Sequence, residues 1–223
     1  MKTAVVIPAR YGSTRFPGKP LEDVAGRSLI RRVHEIAAAA EGVDRVIVAT
    51  DDERIRDHVL AFGGEAVMTP EGCRNGTERV HAAALGLDEP PDALINLQGD
   101  AVLTPPWVIE AVIREMERSP NAPIVTPAAR LDEGSLQLLQ EAKAAGEVGG
   151  TTVTFDRAGN ALYFSKAMIP FIRDAAGGAP TFRHIGLYGY RREALERFIA
   201  MGPSPLELTE GLEQLRALEN GMG

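Results

Sequence analysis

Cysteine is almost missing from this chain of 223 residues, with Cys73 standing alone. A single thiol excludes internal disulfides and any cysteine-based metal cluster, and it suits a reducing compartment, so the chain reads as cytoplasmic. The 4 histidines are scattered, which leaves no zinc-ligand spacing and no Ser/His/Asp arrangement. No apolar run approaches the roughly 20 residues of a membrane span. Arg10 interrupts the N-terminal apolar stretch before it could serve as a signal peptide. Positive charge is in deficit: 24 Lys and Arg against 31 Asp and Glu leave a net charge of −7. Such a surface repels phosphate backbones and anionic headgroups, which argues against broad nucleic-acid or membrane binding. A smaller anion can still bind where the cations gather locally.

What is present is globular in kind. Hydrophobic residues make up 44% and charged residues 25%, mean hydropathy is −0.09, and a chain of this length buries roughly 70% of its unfolded surface. Thr3 to Pro8 reads as a buried strand running into a loop with Gly12, Pro17, Gly18 and Pro20. Ser28 caps an expected helix over 28–41, with Leu29, Ile30, Val33, Ala37 and Ala40 on one face. Arg45 to Thr50 is a second strand, followed by a helix that starts at Asp51, Asp52 and Glu53 and stops at Gly63 and Gly64.

The alternation continues with a helix from Thr77 to Leu87, the strand Ala93 to Leu97 and a helix from Pro105 to Arg118, which implies βαβ crossovers and a mostly parallel sheet. Beyond Pro123 the pattern changes. A strand is expected over Ile124 to Arg130, a helix over 134–145, and a hairpin from Thr151–Phe155 and Ala161–Phe164 around Ala158, Gly159 and Asn160. His184 to Tyr190 reads as one strand, Leu206 to Glu219 as one helix, and Gly177-Gly178 as a mobile loop. There is no internal repeat.

Ligands of open α/β sheets lie beyond the carboxyl ends of the strands, so the loops after the first and third strands matter most. The first, Pro8 to Pro20, gathers Arg10, Arg15 and Lys19 with Gly12 and Gly18 in a chain that is acidic overall. Glycines let amides approach an anion and the cations neutralise it, as a triphosphate requires; a solvated basic loop is the alternative. It is not a Walker A loop, because five residues separate Gly12 from Gly18 and Pro20 stands where the magnesium-binding hydroxyl would be. No GxGxxG occurs. Asn96-Leu97-Gln98-Gly99-Asp100 ends the third strand, and Asp100 is either a turn residue or an oxygen ligand for Mg²⁺ shared with phosphates. Arg74 to Arg79 places a glycine, a hydroxyl and two cations at a helix start, where Thr77 either caps the helix or meets a polar ligand. His184 is either a core histidine or a donor to a carboxylate. Glu213, Gln214 and Arg216 lie on a helix as a solvated face or a binding face.

IPARYGSTRFPGKPL, VIVATDDERI, NGTERV, NLQGD, ALYFSKAMIPF, RHIGLYGYR, PSPLEL and LEQLRALENG, in order over residues 7–221, resemble the 3-deoxy-manno-octulosonate (KDO) cytidylyltransferases, the CMP-KDO synthetases. The resemblance implies an α/β, three-layer, mostly parallel nucleotide-diphospho-sugar transferase (Rossmann-like) fold with a hairpin excursion. It implies one nucleotidyltransferase domain over 1–223, with a dimerisation and sugar-binding excursion at about 147–192. The implied reaction moves CMP from CTP to the anomeric hydroxyl of the sugar acid and releases pyrophosphate, with Mg²⁺, in a homodimer that serves lipopolysaccharide or capsule precursor synthesis. It assigns Arg10, Ser13, Arg15 and Lys19 to the triphosphate, with Lys19, Arg15 and Asp100 as the catalytic set. Asp100 is the metal ligand. Gln98 falls near the nucleotide, Asn75, Gly76, Thr77 and Arg79 near the nucleoside or sugar, and His184, Tyr188, Glu213 and Gln214 at the sugar acid.

The chain departs from that pattern in four places. QGDEP reads Gln98-Gly99-Asp100-Ala101-Val102, and Lys166 replaces the arginine of YFSR. Gly149-Gly150-Thr151-Thr152-Val153-Thr154 replaces a segment of the form Asn-x-Val-Lys-Val-Val, removing a lysine near the expected sugar pocket. The family's C-terminal strand and GVDTPEDL-like segment, with its aspartate, lie past Gly223, so the ion is expected to keep an extra water. These departures motivate two alternatives: a synthetase for another acid, such as 8-amino-KDO or a nonulosonate-like acid, and a binding homologue without catalysis. A glycosyltransferase is disfavoured, because Gln98-Gly99-Asp100 is not an Asp-x-Asp motif.

Overall fold

The Val- and Ile-rich opening of the chain forms β1 over Thr3–Ala9, buried along almost its whole length, as branched side chains favour in a strand covered on both faces. A computed structural model describes residues 1–12, 16–173 and 180–223. Ser13, Arg15 and the loop at Gly177 and Gly178 lie outside the described residues. Beside β1 run β2 (Arg45–Thr50), β3 (Glu65–Met68) and β4 (Ala93–Leu97), all parallel, and a six-stranded sheet has the order β3-β2-β1-β4-β10-β5. Its last two members, β10 (Leu187–Arg191) and β5 (Ile124–Val125), run antiparallel to their neighbours. The sheet is therefore mostly parallel, as expected.

Helices α1 (Leu29–Ala38), α2 (Glu53–Ala61), α3 (Gly76–Leu85) and α4 (Pro106–Arg118) alternate with these strands. Ser28 caps α1, its hydroxyl accepting from the Arg31 N–H at 3.3 Å, and the face carrying Leu29, Ile30, Val33 and Ala37 is buried. Asp52 caps α2. That helix stops at Gly63, whose φ of 82° permits the paired bonds from Gly63 to the Leu60 carbonyl and from Gly64 to the Val59 carbonyl. β3 was not anticipated: three half-buried edge residues and an exposed Met68 give too short an apolar run.

The described chain divides into two compact units, residues 1–125 with 186–199, and residues 126–185 with 200–223. The second holds an antiparallel sheet of order β6-β9-β7-β8, made from β6 (Ala128–Arg130), β7 (Thr152–Phe155), β8 (Ala161–Ser165) and β9 (Phe182–His184). The expected hairpin is the β7–β8 pair. The strand expected over 124–130 is two strands, β5 and β6, in different sheets, and so is the strand expected over 184–190, which divides into β9 and β10. Each break lets the chain pass from one unit to the other.

Also in the second unit is α5 (Glu133–Ala144), and α6 (Arg192–Ala200) follows β10. The helix expected over 206–219 is broken into α7 (Pro205–Glu210) and α8 (Leu215–Glu219) by Gly211 at φ 63°. Val153, Phe164, Leu212 and Leu215 form this unit's core. A buried Arg216 guanidinium, 2.8 Å from the Glu207 carboxylate, joins α8 to α7.

Candidate active site

Strand order reverses at β1, which has β2 on one side and β4 on the other, and a crevice is expected at the carboxyl ends there. Glycines bring the backbone segments of that edge together. A Cβ on Gly99 would lie 2.8 Å from the Pro8 carbonyl oxygen. On Gly76 it would lie 3.1 Å from the Pro8 ring and 3.6 Å from the Gln98 amide. At Gly99 only glycine lets the turn after β4 pack on the end of β1, and at Gly76 the start of α3 packs tightly on the same segment.

The loop after β1 folds back on itself, with the Gly18 N–H donating to the Tyr11 carbonyl at 2.9 Å and Gly18 at φ 77°. A 3-10 turn over Lys19–Leu21 follows, and it carries the Lys19 ammonium to 2.6 Å from the Asp100 carboxylate. These side chains are 41% and 56% exposed, so the pair adds little to stability and both groups remain accessible to a ligand. Arg10, at the end of β1, is exposed as well. Tyr11 is held by a residue that sequence reasoning passed over: the Arg54 guanidinium lies 3.3 Å from the centre of its ring. Arg54 in turn forks onto Asp52 at 2.9 and 2.6 Å, and these bonds hold the Asp52 carboxyl below the usual carboxylate range.

At the start of α3, Asn75 rather than Thr77 is the cap, its side-chain oxygen accepting from the Glu78 N–H at 2.9 Å. Thr77 lies inside the helix and is buried. Its hydroxyl accepts from Asn96 at 3.2 Å, and the Gln98 amide donates to Asn96 at 3.5 Å. Gln98 is thus tied through β4 to α3. Arg79 is 3% exposed, with its guanidinium 2.6 Å from both Asp51 and the Thr69 hydroxyl. It fastens α3 to the loops after β2 and β3. Tyr188 on β10 stands opposite Asn96 in the ladder.

The remaining expected residues, His184, Glu213 and Gln214, belong to the second unit. His184 is 9% exposed. Its Nε2 is 2.7 Å from the Thr126 hydroxyl and its ring meets Phe164 edge-on at 4.9 Å. Burial first, and the Lys166 charge second, push its pKa down to about 4. It is a neutral core histidine at neutral pH. Gln214 is buried at the start of α8 and Glu213 is half-buried beside it. Glu210 also lies here, accepting from the Ser165 hydroxyl at 2.7 Å and the Lys166 N–H at 2.8 Å.

Among the described residues no three His, Cys, Asp or Glu side chains gather as a metal cage. The accessible Asp100 carboxylate beside Lys19 fits an ion that takes one protein oxygen and fills its other positions with water and phosphate oxygens. No helix among the described residues is long and apolar enough to cross a membrane.

The cytidylyltransferase family pattern matches residues 4–223. A 3-deoxy-manno-octulosonate cytidylyltransferase of Maricaulis maris is 57% identical over 100% of this chain and 86% of its own length. One from Chlamydia abortus is 44% identical over 99% of this chain and 83% of its own. The solved structure of a CMP:2-keto-3-deoxy-manno-octonic acid synthetase complexed with CTP superposes with a TM-score of 0.89 at 38% identity, covering 100% of this chain and 87% of that one. With a sheet edge built as the motifs require and relatives this similar along its whole length, the chain belongs to the 3-deoxy-manno-octulosonate cytidylyltransferase family.

Proposed function

We propose that this protein transfers CMP from CTP to the anomeric hydroxyl of KDO or a closely related sugar acid and releases pyrophosphate. The observation that carries the reading is the Lys19–Asp100 pair, 2.6 Å apart, set beside glycine-packed backbone at the carboxyl edge of β1 and β4. Those groups suit a triphosphate: Lys19, with Arg10 and Arg15 of the same loop, offsets its charge, and Gln98 and the Asn75–Gly76 turn border the nucleoside. The acceptor oxygen bonds to the α-phosphorus, the bond to the pyrophosphate oxygen breaks, and the hydroxyl proton passes to solvent. No enzyme nucleophile takes part, so positioning and charge neutralisation supply the acceleration.

Asp100 would hold Mg²⁺, whose chemistry here is to neutralise charge on the phosphate oxygens. Thr77 and Arg79, which are buried, act as positioning residues for the α3 turn. Tyr188, Glu213 and Gln214 are assigned to the acceptor, and His184, buried against Phe164 and Thr126, serves only to position its strand. The protein works as a cytoplasmic homodimer that supplies activated sugar acid for lipopolysaccharide or capsule precursors. The test is pyrophosphate release from CTP and Mg²⁺ with KDO, 8-amino-KDO and N-acetylneuraminate, each with no-acceptor and no-metal controls. Release that depends on one of the acids is expected. CTP binding without release in any arm would instead support a binding homologue.

A further inference from the structure

The main chain that carries Lys19 leans on Tyr11. A Cβ on Gly18 would lie 3.2 Å from the end of the Tyr11 ring, and the Gly18 N–H donates to the Tyr11 carbonyl at 2.9 Å. Ring and main chain of one residue therefore both bear on the position just before Lys19. The ring has a second support, from α2. The Arg54 guanidinium lies 3.3 Å from its centre, and the 3-10 turn over Lys19–Leu21 packs beside that helix. Arg54 is itself held. Its Nε and one terminal nitrogen fork onto Asp52 at 2.9 and 2.6 Å, which fixes the plane of the guanidinium. Asp52 accepts the Arg54 main-chain N–H at 2.9 Å as the cap of α2, and its own N–H donates to the hydroxyl of the buried Thr50 at 3.2 Å. A line of contacts thus runs from the end of β2 through Asp52, Arg54 and Tyr11 to Gly18. Ordering a loop and a long side chain around a ligand costs entropy, and holding the main chain in place beforehand reduces that cost.

We propose that Arg54 is a positioning residue for the nucleotide: through Tyr11 it fixes the main chain that carries Lys19, and so sets the affinity for CTP. The Nε edge of Arg54 is taken up by Asp52 and its face by Tyr11, so its action passes through the ring rather than through a phosphate. The inference rests on the functional reading above, because CTP is the ligand that Lys19 meets.

A double-mutant cycle on CTP affinity, read by calorimetric titration, is the test. The Arg54 side chain is 60% exposed, so Arg54→Met folds; it keeps the aliphatic stem and removes the cation. CTP binding weakens roughly three- to thirtyfold, the range of a cation–π contact. Tyr11→Leu gives a similar loss, and Tyr11→Phe retains most of the affinity because the ring face remains. The double variant of Arg54→Met with Tyr11→Leu binds no more weakly than the weaker single one. In turnover the KM for CTP rises while kcat and the acceptor KM stay within about twofold, a split that loss of folded protein does not produce. Losses that simply add in the double variant would overturn the proposal, since Arg54 would then act on CTP without Tyr11, and so would wild-type CTP affinity in Arg54→Met. A wild type that binds CTP but releases no pyrophosphate with any acid would overturn the transferase reading, while the titrations still decide the role of Arg54. A wild type that binds no CTP would overturn both.

Discussion

Acidification from about pH 8 to pH 5 should weaken the second unit through a single imidazole. His184 is 9% exposed, and its pKa is pushed from 6.5 to about 4. Above pH 6.5 both folded and unfolded chains hold it neutral, and it contributes nothing to the pH dependence. Below 6.5 the unfolded chain takes up a proton that the folded chain refuses until about pH 4, so folded stability falls across that window. Linkage puts the loss at about 2 kcal/mol by pH 5 and about 3 kcal/mol near pH 4. Glu35, Glu115 and Glu210, whose pKa values lie below the ordinary 4.5, withdraw their contribution only at lower pH. His34, also lowered by burial, acts alike in wild type and variant. Glutamine at 184 can keep a bond to Thr126 without titrating. Urea unfolding of wild type and His184→Gln at pH 8, 6 and 5 therefore gives curves that converge by about 2 kcal/mol, and the ring resonance of His184 titrates near 4. Parallel curves, or an imidazole midpoint near 6.5, would refute the burial account.

Other predictions concern the sheet edge. Asp100→Asn should keep its fold, since the side chain is exposed, and lose about 100-fold or more in turnover, read across a magnesium titration. Turnover like wild type would remove it from the metal site. Gly99→Ala forces a methyl group to 2.8 Å from the Pro8 carbonyl oxygen and should cost about 1–3 kcal/mol in denaturant unfolding. Arg79→Met leaves the Asp51 carboxylate without its buried partner and should cost about 3 kcal/mol or more; a change within experimental error would show that the pair is not maintained in solution.

Local pattern carried the sequence reading well where the local signal is strong. The apolar runs beginning at Thr3, Arg45 and Ala93 read as buried strands because each is short, continuous and ends in turn residues. Ser28 read as a cap because a side-chain oxygen before an amphipathic run has one obvious use, and Asp51, Asp52 and Glu53 read as a helix start because carboxylates suit its free N–H groups. Elements decided by distant partners were not legible. Thr126-Pro127 and Ile185-Gly186 look like the interior of strands, and only the pairing of β6 with β9, and of β10 with β4 and β5, shows that the chain changes sheets there. α6 was within reach, since Ala194, Leu195 and Phe198 share a buried face.

At the candidate site, the loop cations, the glycine turn and Asp100 stood out as residue types in unusual places. The Arg79–Asp51 pair spans 28 positions and the Lys19–Asp100 pair spans 81, separations that spacing arguments do not reach. Arg54 over Tyr11 was invisible for the same reason. Burial of His184 selected between two uses that the sequence had left equal.

The function proposed for this protein moves a nucleotidyl group from CTP to a sugar acid. Its most direct measurement follows CTP labelled at the α-phosphorus through a reaction with Mg²⁺ and each acid of the panel, with product mass and pyrophosphate recorded together. Label should appear in a CMP–sugar-acid conjugate, one for each pyrophosphate released, and only when the acceptor is present. Label found only in free CMP or CDP, or pyrophosphate formed without an acceptor, would contradict the claim.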